Sequence, residues 1–275
     1  MPVHRSQPVT LAFLACALLV PSSHLLAQAS QPEALQALRA AVDSEMQANR
    51  TDKSIWQYHD RDDSPEKHAL YDTIETRQGT LRRMIELNGK PVSPAVAQDE
   101  SARITQYVHD TSAQARARRN GAHDDAQAAA FLKRLPDAFI WTLVSRDAEF
   151  TTLSFRPNPA FDPPDTEARV MGLMAGQMLI SRDGNRIRTL RGSLTQDVKF
   201  GYGFFGRLNA GGTFDIERRQ VGGGHWQITE SRVHIGGKAL LFKTIGQQED
   251  EVKTDWKPSP ATTLQDAARS LGAQP

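Results

Sequence analysis

Between Leu190 and Phe204 the chain alternates in a way that few folds accommodate. Leu190, Leu194, Val198, Phe200, Tyr202 and Phe204 fall on even positions, and Arg191, Ser193, Thr195, Asp197 and Lys199 fall on odd ones. A period of two is the mark of a β-strand with one apolar and one wet face. One unbroken strand of about 50 Å would exceed the usual length, so a bend or bulge is expected near Gly192 to Gln196. The apolar face has to be covered, which calls for a sheet with a second layer on one side.

The surrounding sequence repeats the pattern. Asp183-Gly184 between Gly176–Ser181 and Asn185–Leu190 is a tight-hairpin signal. Phe214 and Ile216 oppose Asp215 and Glu217 in phase, with turns at Asn209 to Gly212 and at Gly222-Gly223-Gly224. Trp226 and Ile228 are even whereas Val233 and Ile235 are odd, so a bulge or turn separates them. Thr151–Phe155 and Ala239–Ile245 read as strands, and Phe139–Val144, apolar on both faces, reads as a buried one.

The front half is richer in helix. Leu35, Leu38, Val42 and Met46 recur at helical spacing and predict a helix from about Pro32 to Asn49. Ile55 to Tyr58 is strand-like, and the charged tract His59 to Lys67 is read as a turn or loop. Strands follow over His68–Thr76 and Thr80–Leu87, joined at Gln78-Gly79; the second places Leu81, Ile85 and Leu87 on one face and Arg82, Met84 and Glu86 on the other. Ser93-Pro94 opens a helix carrying Val96, Ile104, Tyr107 and Val108, which is expected to end by Asn120-Gly121. A shorter helix carries Phe131, Leu132 and Leu135. Four prolines make 156–165 a loop, a short helix is expected from Asp165 to about Leu173, and Ala261–Leu271 is a closing helix or a tail.

Residues 1–29 read as a cleavable secretory signal: His4 and Arg5, the apolar run Val9 to Val20, then Ala27-Gln28-Ala29. The run is too short to cross roughly 30 Å of hydrocarbon, and no later segment is longer. A periplasmic or secreted protein starting near Ser30, not membrane-spanning after signal removal, is expected. Cys16, the one cysteine, lies in that run with Phe13 where a lipoprotein signal has Leu, so removal is favoured over lipidation. The remaining chain then has no thiol, which excludes disulfides, thiolate catalysis and cysteine-based metal sites. The net charge of +1 supplies no field for nucleic acid or an anionic membrane surface.

Motif by motif, bland readings prevail. Gly201-Tyr202-Gly203-Phe204-Phe205-Gly206 matches a dinucleotide fingerprint, but a turn follows where a helix is required. Ser64-Pro65-Glu66-Lys67 matches S-x-x-K without its companion elements. His59-Asp60-Arg61-Asp62-Asp63 with His68, and His123-Asp124-Asp125, have hard-metal chemistry but no ligand spacing, and read as solvated charge. G-x-S-x-G and H-E-x-x-H are absent. Asn49-Arg50-Thr51 is a glycosylation sequon.

The order of elements, with Gly176-Gln177-Met178-Leu179-Ile180, Asp183-Gly184-Asn185-Arg186-Ile187, Leu190 to Gly206, Gly212-Thr213-Phe214 and Trp226-Gln227-Ile228, resembles the outer-membrane lipoprotein-sorting (lipoprotein-carrier) superfamily. The likeness is one of layout and covers most of residues 30–275. It implies an open β-barrel lidded by helices that holds or senses the acyl chains of lipids or lipoproteins. It carries no catalytic residue over to this chain.

The expectation is therefore an α+β protein: an open, unclosed antiparallel β half-barrel with helices covering its concave face. It spans 30–258 as one domain, with helices inserted at about 93–135 and a helix or tail over 259–275. Strand phase nominates Leu153, Phe155, Met178, Ile180, Leu190, Leu194, Val198, Phe200, Tyr202, Phe204, Phe214, Ile216, Trp226 and Ile228 as the apolar ligand face. The expected role is non-enzymatic binding of a lipid or lipidated protein, with no catalytic residue, cofactor or metal. The alternatives are a metal-dependent or triad hydrolase of the cell envelope and an envelope module that binds a protein partner.

Overall fold

The computed structural model describes residues 23–200, 206–239 and 244–274. In chain order the elements are α1 (Ser23–Thr51), β1 (Trp56–Ser64), β2 (Lys67–Thr76), β3 (Gly79–Leu87), β4 (Lys90–Pro91), α2 (Pro94–His109), α3 (Thr111–Ala138), β5 (Phe139–Arg146), β6 (Phe150–Pro157), α4 (Thr166–Met171), β7 (Met174–Ser181), β8 (Arg186–Leu194), β9 (Val198–Phe200), β10 (Gly206–Leu208), β11 (Thr213–Gly222), β12 (His225–Ala239), β13 (Thr244–Pro258) and α5 (Leu264–Ser270). The fold is α+β, built on one open, unclosed antiparallel sheet of thirteen strands. Its order is β4-β3-β2-β1-β13-β12-β11-β8-β7-β6-β5, with β10 pairing β12 and β9 off that path.

Each long strand alternates, so the sheet has two faces with different covers. On one, Trp141, Leu153, Phe155, Met178, Ile180 and Leu194 pack with Ala34, Leu38, Ala41 and Val42 of α1 and Leu135 and Ala138 of α3. We call this the inner face. On the other, Ile74 and Leu81 pack against Ile104 and Val108 of α2 and Leu264, Ala267 and Ala268 of α5. Thr73 and Ile74 are neighbours in β2 and therefore point to opposite faces. Middle strands carry ion pairs on the outer face: Arg191–Asp215 at 3.5 Å and Arg188–Glu217 at 3.0 Å across strands, and Arg232–Glu230 at 2.6 Å along β12. Helix α3 touches both β3 and β5, which lie near opposite ends of the sheet.

Several local expectations change. The charged tract 59–67 is not a loop: Trp56–Ser64 is a strand paired on both sides, with β2 and β13. The single strand expected over Ala239–Ile245 is instead divided between β12, which ends at Ala239, and its antiparallel partner β13, which runs from Thr244 to Pro258; 240–243 lie outside the described residues. The helix from Ser93 does not reach Asn120-Gly121. It stops at Asp110, whose N–H bonds back to Gln106 and Tyr107 and whose carboxylate caps α3 by accepting from Ala113 N at 2.8 Å. One helix then runs through Asn120-Gly121 to Ala138, replacing the separate short helix. β5 is an edge strand and not a doubly buried one, with Val144 at its bulge 53% exposed. A register shift in β3 opposite Leu70/Tyr71 pairs Leu87 with Ala69 and moves it to the inner face.

Other expectations hold. Asn185 and Gly184 take the positive φ (51° and 70°) that the β7–β8 hairpin turn needs. The long alternating segment breaks after Leu194 and resumes at Val198, where the bend was expected. The phase slip in β12 is a bulge at Thr229, between the pairs Glu217↔Glu230 and Arg218↔Ile228.

Candidate functional site

The register carries the apolar residues across five strands. Leu143 of β5 pairs with Leu153 of β6, Leu153 with Met178 of β7, Met178 with Leu190 of β8, and Leu190 with Ile216 of β11. The sequence phase thus assigns these side chains to one face, and the structure brings them together. It also covers them. Leu153, Phe155, Met178, Ile180, Leu194 and Val198 are buried beneath α1 and the end of α3, with Leu190 and Phe214 partly buried against the same cluster. They form a packed core, not an open groove. Ile216 is half-buried at the margin of this cluster. Ile228, beyond the bulge, is 43% exposed. Trp226 lies apart from the core, beside the C-terminal half of α1. Tyr202, Phe204 and the Phe200 side chain lie outside the described residues.

What fastens α1 is a carboxylate that the sequence does not advertise. Glu45 is 3% exposed and faces β8 and β11. It accepts from Arg186 Nε at 3.1 Å, Arg186 Nη2 at 2.9 Å and Ile187 N at 2.8 Å, and pairs with Arg218 Nη1 at 2.5 Å. Burial alone would raise its pKa, but the hydrogen bonds and charges of Arg186 and Arg218 outweigh it and hold Glu45 below the ordinary value. A second tether joins Asp52, just beyond α1, to His225 at 3.1 Å.

The same inner face turns polar toward β13, β1, β2 and β3. Pairing places Asp60 opposite Lys253 on one side and Tyr71 on the other, and Tyr58 opposite Thr73. The aromatic rings there belong to neither helix-covered cluster. Tyr58 stacks on Trp256 at 4.3 Å, Trp256 meets Trp56 edge-on, and the Arg82 guanidinium lies 4.1 Å from the Tyr71 ring centre. Asp60 is 4% exposed, yet its Oδ1 has no hydrogen-bond partner and its Oδ2 is 3.8 Å from Arg82 Nη1. The Thr73 hydroxyl on the next strand is likewise buried without a partner. Burial and the neighbouring Glu251 push Asp60 up to about 6, against the opposing pull of Lys253 and Arg82. Burial also raises Glu75, and raises Tyr58 with help from Glu75, Asp60 and Glu251.

The charge clusters noted in the sequence are taken apart by the fold. In β1, His59, Arg61 and Asp63 point outward while Asp60 and Asp62 point inward. His59 lies between Asp72 at 2.9 Å and Asp255 at 3.0 Å, and His68 pairs with Asp63 at 3.1 Å. His123, Asp124 and Asp125 are consecutive exposed residues of α3 and so diverge around the helix. Among the described residues no group of three or more His, Cys, Asp or Glu has metal-holding geometry. Ser64-Pro65-Glu66-Lys67 forms the β1–β2 turn, and 201–205 lie outside the described residues. No helix among the described residues is long and apolar enough to cross a membrane.

Comparison of the chain with protein-family models, curated proteins and solved structures gives no match.

Proposed function

We propose that this chain is a non-enzymatic binding protein of the cell envelope whose apolar inner face takes an acyl chain when α1 swings aside. The observation that carries this reading is the contiguous apolar surface of β5, β6, β7, β8 and β11 lying beneath a helix at the N-terminal end of the fold. Moving α1 about 52–55 breaks no strand pairing, because the pairing of β1 begins at Trp56. Among the described side chains of α1, the buried aliphatics are Leu38 and Val42, which are large, with Ala34 and Ala41; Leu35, Ala37 and Met46 are partly buried against the same cluster. Each large one is worth about 1.5–3 kcal/mol on full burial. An acyl chain of about sixteen carbons offers about 12 kcal/mol gross. Displacing α1 also breaks the Glu45 contacts to Arg186 and Arg218, and association costs about 4–15 kcal/mol, so net uptake is weak and reversible. The secretory signal read in residues 1–29 and the resemblance in layout to lipoprotein carriers support a setting in the periplasm or outside the cell.

The test is native purification of residues 30–275, organic extraction and lipid mass spectrometry, with titration by a fluorescent C16 fatty acid. A co-purifying lipid or saturable uptake is expected. An empty extract together with no uptake would contradict the proposal.

A further inference from the structure

A cleft of about 670 Å³ opens between the C-terminal half of α1 and the tips of the β7–β8 and β11–β12 hairpins. A second, of about 300 Å³, adjoins it. The two share Asp183, Gln220 and Trp226 as walls, so the indole borders both. These volumes lie in the range of small-molecule sites.

The polar groups around the indole are of two kinds. The cations are paired but share their anions: Arg186 and Arg218 meet Glu45 at 2.9 and 2.5 Å, and Arg188 and Arg219 meet Glu217 at 3.0 and 2.5 Å, with Glu230 3.5 Å from Arg219. The side chains of Asp43, Ser44, Asp183 and Gln220 make no hydrogen bond or ion pair with the described residues, and the Trp226 indole N–H donates to none. The groups without a partner among the described residues are thus two carboxylates, a hydroxyl and an amide, beside an indole ring that has the Arg186 guanidinium 5.9 Å from its centre. Asp43 and Asp183 disfavour an anion placed directly beside them. An uncharged ligand rich in hydroxyls, with an apolar C–H face, satisfies the whole set: the C–H face lies on the indole and the hydroxyls donate to carboxylate and amide oxygens.

We propose that the Trp226 cleft is a saccharide site, taking an uncharged sugar ring either free or as the headgroup of a glycolipid. Asp43, Asp183 and Gln220 accept from its hydroxyls, and Trp226 supplies the stacking surface. The site is polar and distinct from the acyl-binding face, so a free sugar tests it without any lipid.

The experiment follows backbone amide NMR shifts of residues 30–275 on addition of maltotriose, cellotriose or chitotriose, with a sulfated disaccharide as the anionic control. A parallel arm measures flotation with phosphatidylcholine vesicles with and without monoglucosyl diacylglycerol. Saturable shifts at Gly184, Gln220 and Trp226 with a neutral trisaccharide, weakened at least tenfold in both Trp226→Ala and Asp183→Ala, are expected and identify a free sugar. Binding to the glycolipid vesicles alone, lost in both variants, identifies a headgroup and also supports the site. Asp183 occupies an exposed turn, so its variant stays informative if Trp226→Ala fails to fold. No saturable response in either arm, preference for the sulfated sugar, or affinity unchanged in Asp183→Ala would overturn the proposal.

Discussion

Two buried carboxylates on the same sheet face end in opposite states. Glu45 and Asp60 are 3% and 4% exposed. Glu45 meets two arginines and a backbone N–H within 3.1 Å and is held below the ordinary carboxylate range. Asp60 has one oxygen with no partner, its nearest guanidinium at 3.8 Å, and Glu251 close by, and is pushed up to about 6. Burial penalises both charges alike; the number and quality of partners decides which one stays ionised. The comparison also separates roles. Glu45 is a clamp that fixes a helix to the sheet. Asp60 is a buried acid without full partners, on a part of the inner face that belongs to neither helix-covered cluster.

The sharpest way to break this contrast is to remove the clamp. Glu45→Ala leaves Arg186 and Arg218 facing one another without their anion, and is expected to cost about 3–5 kcal/mol in urea unfolding. With Glu45→Gln as the reference, the wild-type advantage should be full at neutral pH and shrink as pH falls through the lowered native value, because Glu45 must then take up a proton. A loss under about 1 kcal/mol would mean that α1 is held by its apolar stripe alone.

Asp60→Asn should act in the opposite direction. Between its ordinary value of 3.8 and about 6 the folded chain keeps a proton that the unfolded chain releases, so stability falls as pH rises through that interval. At 1.36 kcal/mol per pH unit the neutral-pH penalty is about 3 kcal/mol. The variant should gain about 2–3 kcal/mol at pH 7.5 and almost nothing at pH 4, read from paired urea curves. A variant no more stable at pH 7.5 would show that Arg82 and Lys253 compensate Asp60 fully.

Thr73→Val gives the smallest effect. It removes a buried hydroxyl without a partner and keeps the side-chain shape, so a gain of about 1 kcal/mol in the same assay is expected. A loss would mean that the hydroxyl is satisfied in solution.

How far the sequence reveals these features depends on their range. The strand phases of Leu153, Met178, Leu190 and Ile216 are local, and they foretell the shared face correctly. What covers that face depends on packing from the other end of the chain, and so an apolar stripe meant for α1 looks the same as one meant for a ligand. Glu45 reads as one acid on a helix because its partners stand at 186 and 218. The tract 59–67 looks like a solvated loop because its charges hide a period of two, with Asp60 and Asp62 inward and His59, Arg61 and Asp63 outward. Gly121 looks like a helix stop. It is spanned because α3 is capped at Asp110 and packed at Leu135 and Ala138, and contacts on both sides outweigh about 1 kcal/mol of local preference.

The central claim is that α1 is a displaceable cover on an apolar face that otherwise stays intact. Hydrogen–deuterium exchange of residues 30–275, with and without saturating palmitate, tests it directly. Loss of protection over 34–49 on adding palmitate, with β6, β7 and β8 unchanged, is the predicted result. Equal protection of α1 and those strands in both conditions would contradict it and leave α1 as a permanent part of the core.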